Sequence, residues 1–309
     1  MQSTASINEL QNLWLRSLDV SVSTKQAYEA GLRTYRIWHV AFKNYSEMKF
    51  TSERILEFKQ EKIDKVSPNS IRIYLASLKS FFSWAEKERH IMPNPMAGIR
   101  SPRPPKEYTK IPLTKDEAEK LLSSIDRNSI SGKRNFAIVN LMLYLGLRRI
   151  EIIRLDVCDI VSGINGNEIR IFGKGCTSKD KTLPLPGFIF DIIEDYLLKR
   201  ERYCPTDPLF PSTAYRNNNG RLSDRFVSGK VKELMRHAGV NDPRISCHSL
   251  RHTAAVLLIK SGCPHIQVQT LLRHTSAEVT RIYTRYIERQ QLMEETGKYI
   301  EKLHNSMIS

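Results

Sequence analysis

The stretch LLRHTSAEVTRIYTRYI, residues 271–287, holds Arg273, His274, Arg281, Arg285 and two tyrosines three residues apart, Tyr283 and Tyr286. Three residues is nearly one helical turn, so a helix sets both phenols on one face. Nearby arginines favour the phenolate by opposing its charge. A phenolate that attacks phosphorus stores the phosphodiester energy in a covalent link. Spacing alone does not choose between the two tyrosines, and both are also residue types that simply pack or hydrogen-bond.

Three further segments concentrate polar groups in apolar surroundings. In Gly146-Leu147-Arg148-Arg149-Ile150-Glu151, Glu151 stands one helical turn beyond Arg148. A guanidinium held by a carboxylate is preorganised to bind an oxyanion through two hydrogen bonds, although the same spacing describes an ordinary surface ion pair. In His248-Ser249-Leu250-Arg251-His252, His248 and Arg251 share a helical face, and the apolar run TAAVLLIKSG that follows buries the helix. Its first turn offers free N–H groups to an anion, and His248 is a candidate acid or base near neutral pH. In Gly173-Lys174-Gly175, flanking glycines let a hairpin tip approach another backbone, where Lys174 can reach a groove or give a proton to a leaving oxygen. Each signal is weak alone. Together they form a set suited to gripping a phosphodiester and attacking it, with arginines stabilising the pentacoordinate charge as metal ions do elsewhere. No cofactor is implied.

The whole chain fits such a partner. Its net charge is +15, with 48 Lys and Arg against 33 Asp and Glu, a surplus that points first to nucleic acid. No apolar run approaches the roughly 18 residues of a membrane span, and the N-terminus lacks a secretory pattern. A cytoplasmic location is expected. The five cysteines, Cys158, Cys176, Cys204, Cys247 and Cys263, form no paired motif and no zinc spacing, which suits a reducing compartment. Cys247, beside the basic cluster, is the only one with a case for reactivity.

The elements that must position these groups are mainly α. Residues 1–100 show helical periodicity without strand alternation, as a four-helix unit. Ser23 is a possible cap for a helix with Ala27, Leu32, Tyr35 and Trp38 on its apolar stripe, and Thr51 caps the next. A fourth helix starts near Asn69 or Ser70 and carries Ile71, Tyr74, Leu75, Leu78, Phe82 and Ala85. Five prolines between 93 and 105 forbid a continuous helix, and 101–112 reads as an extended basic linker with Arg103, Lys106 and Lys110. Residues 113–309 form a larger, mainly helical unit. It opens with a capping box at Thr114 and Glu117 and contains a small antiparallel sheet near 168–185.

Taken together, these boxes resemble those of the tyrosine recombinases of phage integrase and Xer type, over nearly the whole chain. HSLRH is similar to the family's H-x-x-R box, GLRRIE to its first arginine box, FGKGCTSKDKTLPLP to its hairpin lysine segment, and LLRH, nine residues before Tyr283, to its last box. The resemblance implies an N-terminal core-binding domain and a C-terminal catalytic domain with a tail helix. It implies that Arg148 and Arg251 bind the scissile phosphate, that Lys174 protonates the departing 5′ oxygen, and that His248 accepts or shares the tyrosine's proton. His274 would donate to the phosphate, Glu151 would support Arg148, and Tyr283 would be the nucleophile, leaving Tyr286 to packing. Arg273 stands where the family usually has glycine; it either reshapes the turn or adds a phosphate contact.

The expected activity is site-specific recombination through a 3′-phosphotyrosyl intermediate and a Holliday junction, by a homotetramer on double-stranded DNA. A type IB topoisomerase-like enzyme and a DNA-binding regulator with a decayed site are the alternatives. Because no further domain precedes the helical unit, a simpler Xer-like or transposon-resolving layout is expected. The tail carries a loose apolar stripe, Leu292, Ile300 and Leu303, that docks on a neighbouring protomer or folds back in cis. Lys25, Arg33, Arg36, Arg72 and Lys79 on two N-terminal helices are candidate DNA contacts.

Overall fold

The computed structural model describes residues 7–41, 50–103, 111–172, 178–200, 202–273 and 276–308. Lys106, Lys110, Lys174 and His274 lie outside the described residues. The chain divides into two compact units, Met1–Glu107 and Tyr108–Ser309. It is mainly helical with one small sheet, and no described helix is long and apolar enough to cross a membrane.

The first unit contains α1 (Ile7–Ser17), α2 (Val22–Ala41), α3 (Ser52–Ile63) and α4 (Pro68–Lys87). Two starts differ from the sequence reading. α2 is capped by Ser21, whose Oγ accepts from Thr24 N at 3.3 Å, rather than by Ser23. α4 is capped by Ser67, with Pro68 at the first helical position, where the missing N–H costs nothing. Thr51 caps α3 as expected. Trp14, Leu32, Tyr35, Phe58, Phe81 and Phe82 fill the core, each large side chain stabilising by roughly 1.5–3 kcal/mol on burial. α2 and α4 touch closely at Gly31, where an added Cβ would lie 2.8 Å from Ser77 Cβ.

The second unit begins with α5 (Lys115–Ser124), whose Thr114–Glu117 capping box is formed in both directions. α6 (Ile130–Tyr144) is buried around much of its circumference and packs against α8 (Gly187–Arg200) and α10 (Cys247–Lys260). Between them come α7 (Arg149–Arg154) and the strands β1 (Ile160–Gly163), β2 (Gly166–Ile171) and β3 (Lys181–Pro184). The sheet is antiparallel in the order β1-β2-β3, with Ile169 opposite Ile160 and Leu183. Ile169, Ile171 and Leu183 face the core. α9 (Asp224–His237), α11 (His265–Leu272) and α12 (Ala277–Ile308) complete the unit. α12 is one continuous helix of 32 residues. Its Leu292, Ile300 and Leu303 are exposed, so no described residue of the chain covers the tail stripe.

Candidate active site

α6 ends at Leu145, and Gly146 turns the chain with φ 58. A Cβ there would lie 2.3 Å from Leu272 Cδ2, so the turn and the close approach of α11 both require glycine. The turn delivers Arg148 to the start of α7. Its backbone N–H donates to Glu151 Oε2 at 2.6 Å, and its Nη1 donates to Glu151 Oε1 at 2.8 Å. Glu151 is buried, while the Arg148 side chain keeps 28% exposure. The pair therefore anchors a partly exposed guanidinium on a buried carboxylate.

Arg251 comes from α10 and is among the largest fully buried side chains. Nη1 donates to the carbonyl of Gly146 and Nη2 to that of Leu272. Both carbonyls lie at helix C-termini, where unpaired C=O groups carry partial negative charge. Burial, then Arg148 and Arg273, pull its pKa down to about 9, with Glu151 and Tyr283 opposing. It remains a cation at neutral pH.

Tyr283 lies in the second turn of α12 and is 4% exposed, packed with Ala255, Val256, Val268, Leu272 and Ile287. Its hydroxyl is 2.8 Å from His252 Nδ1. His252 in turn meets His248 edge to face, with ring centroids 4.6 Å apart. Thus His252, which sequence reasoning passed over, is the described histidine hydrogen-bonded to the phenol. Its adjacency to Arg251 was the available signal. His248 stands on the open side of the site; the protein around its ring, followed by Arg251, Arg148 and Arg149, holds its pKa down at about 4. At neutral pH it is therefore an uncharged imidazole. Tyr286 is partly buried against the same apolar cluster; burial raises its pKa, while Arg244 lowers it and Glu117 raises it.

Arg273 does not reach outward as a DNA contact would. It turns inward onto Glu151 Oε2 at 2.7 Å and is 10% exposed. Arg36 is likewise committed, donating to Gln11 Oε1 and Asn8 Oδ1 at 2.6 Å each and so tying α2 to α1. Arg33, Lys79 and Arg103 are exposed, and Lys25 and Arg72 are half-buried. Cys247 is buried, and burial pushes its pKa up to about 12, which disfavours the reactive thiolate.

Sequence reasoning also missed Lys179, which bonds Asp156 Oδ2 at 2.6 Å and Asp159, and lies 5.5 Å from the Phe172 ring centroid. These residues fix the two described ends of the hairpin segment that carries Lys174. Among the described residues, no cluster of His, Cys, Asp or Glu is placed to hold a metal ion.

A basic helical chain with two buried-edge guanidinium boxes and a tyrosine beside them has the features of a DNA strand transferase. A sequence model of the Phage integrase family matches residues 112–289, and the chain belongs to that family, the tyrosine recombinases. It is 33% identical over 232 residues to tyrosine recombinase XerC of Chlamydia caviae, covering 74% of this chain and 70% of that protein. It is 31% identical over 219 residues to XerD of Listeria innocua, covering 71% and 72%. The fold matches the XerH recombinase bound to palindromic difH in a post-cleavage complex, with TM-score 0.74, 21% identity, and coverage of 95% of this chain and 85% of that one. A lambda integrase tetramer bound to a Holliday junction matches with TM-score 0.70, 19% identity, and coverage of 90% and 77%. By class the protein is a site-specific recombinase.

Proposed function

We propose that the protein cuts and rejoins DNA at a specific site through a 3′-phosphotyrosyl bond at Tyr283 and a Holliday junction. The observation that carries this reading is the packing of α12 on α10 within one unit, which sets Tyr283 beside the Arg251 helix. Arg148 and Arg251 bind the non-bridging oxygens of the scissile phosphate and stabilise the charge that builds as phosphorus becomes pentacoordinate. The Tyr283 oxygen attacks in line. The bond from phosphorus to the tyrosine oxygen forms as the bond to the 5′ oxygen breaks. Lys174 gives the departing oxygen a proton. His252 at the phenol, with His248 next to it, takes up the phenolic proton, and His274 donates to the phosphate. One phosphodiester replaces another, so the exchange needs no external energy source.

The XerH complex with difH supports a DNA site as substrate, and the lambda integrase tetramer on a Holliday junction supports a homotetramer on double-stranded DNA as the working form. The exposed apolar residues of α12 are the surface offered to a neighbouring protomer. The reaction takes place in the cytoplasm, where the DNA is.

DNA trapped covalently on the protein and sequenced identifies the site. A nicked duplex carrying that site then accumulates a covalent product with wild type and with Tyr286→Phe, and none with Tyr283→Phe. Loss of product only in the Tyr286 variant overturns the assignment.

A further inference from the structure

Arg273 holds the position before His274 and ends α11 in the left-handed conformation, with φ 53 and ψ 47. That conformation penalises any side chain relative to glycine. Its side chain makes contacts that glycine cannot. Nη2 donates to Glu151 Oε2 at 2.7 Å and, weakly, to the Gly146 carbonyl at 3.4 Å. Nη1 donates to the Leu271 carbonyl at 2.6 Å. Burial lowers its pKa first; Glu151 opposes this and Arg148 adds to it.

Glu151 is therefore shared between two cations. Oε1 accepts from the Arg148 guanidinium, while Oε2 accepts from the Arg148 backbone and from Arg273. Without Arg273, Oε2 keeps only the Arg148 backbone N–H, and since a carboxylate oxygen accepts two bonds, the Arg148 guanidinium can then take both oxygens in the fork geometry that arginine and carboxylate favour. An arginine locked in that fork has fewer N–H groups and less net field for a second anion. With Arg273 present, the site holds three guanidinium groups against one carboxylate. That surplus suits a phosphate whose negative charge grows in the transition state.

We propose that Arg273 is a positioning residue of the strand-cleavage site: by holding one oxygen of Glu151 it limits Arg148 to a single side-chain bond there and leaves the rest of that guanidinium for phosphate. This rests on the strand-cleavage reading given above. It also explains why the glycine usual at this position is dispensable, because the ion pair offsets the backbone cost.

The test is the single-turnover rate of covalent adduct formation on the nicked duplex, with DNA affinity measured alongside. Arg273→Gly puts at the turn the residue its backbone favours, so it folds; Arg273→Asn, which also tolerates this conformation, is the second variant. Both slow adduct formation by about 10-fold and change affinity by less than about 2-fold. In a Glu151→Gln background, Arg273→Gly changes the rate by less than about 2-fold, because the two act through one contact. Wild-type rates in both variants overturn the inference, as does an equal slowing in the Glu151→Gln background, which makes Arg273 independent of Glu151. A wild-type adduct lost in Tyr283→Phe but unimpaired in Arg273→Gly overturns this inference alone. A wild-type protein that forms no adduct removes the cleavage reading and this inference with it.

Discussion

At the scale of single residues, the site is defined by what each charged or titratable group is allowed to do. His248 has its pKa pulled from the usual 6.5 to about 4 by its surroundings and three arginines. NMR of the DNA-free protein should show its ring titrating well below 6; a midpoint near 6.5 contradicts the described environment. The sign for stability follows. The folded state disfavours the proton, and the unfolded state binds it between about 4 and 6.5. The His248 contribution is present above that window and is lost as pH falls through it. The unfolding temperature of wild type therefore drops more across this range than that of His248→Asn, and parallel curves contradict the assignment. The Arg148–Glu151 contact was legible in the sequence because an i, i+3 spacing just after a glycine constrains it locally. The choice of Tyr283 over Tyr286 came from family spacing, since periodicity puts both on one face. The inward turn of Arg273 was not legible, because its rotamer is chosen by Glu151, 122 positions away in the chain.

At the scale of elements, the junction of α6, α7 and α11 sets the site, and Gly146 is its hinge point. Gly146→Ala combines a positive φ with a Cβ 2.3 Å from Leu272 Cδ2. It should cost about 1–3 kcal/mol in stability by denaturant unfolding and displace Arg148. An unchanged midpoint contradicts the packing described. Most helices could be read from apolar periodicity, but the starts of α2 and α4 fell two or three residues early, at Ser21 and Ser67, because several Ser and Thr residues compete for each cap. The strand β1 was missed: four residues are too few to show alternation, although the Asn165-Gly166 pair before β2 is a hairpin signal. The sheet region itself was anticipated through the longer β2 and its return strand.

At the scale of the whole molecule, the net charge of +15 makes DNA binding an electrostatic event first. Affinity should fall linearly with salt on logarithmic axes, and Lys79→Ala, which removes an exposed cation of α4, should reduce that slope by about 1. Arg36→Ala, by contrast, removes the link between α1 and α2 and should act mainly on stability. A Lys79→Ala slope equal to wild type removes Lys79 from the DNA face. The two-unit division was legible from the proline-rich linker, whereas the reach of α12 as one 32-residue helix, exposed beyond Ile287, was not, because a loose apolar stripe does not say what covers it. The central claim is that one phenol oxygen bonds to the scissile phosphorus. Tandem mass spectrometry of the nuclease-trimmed protein–DNA adduct addresses it most directly. The predicted result is a nucleotide joined through its 3′ phosphate to Tyr283; a nucleotide on Tyr286 or on any other side chain contradicts it.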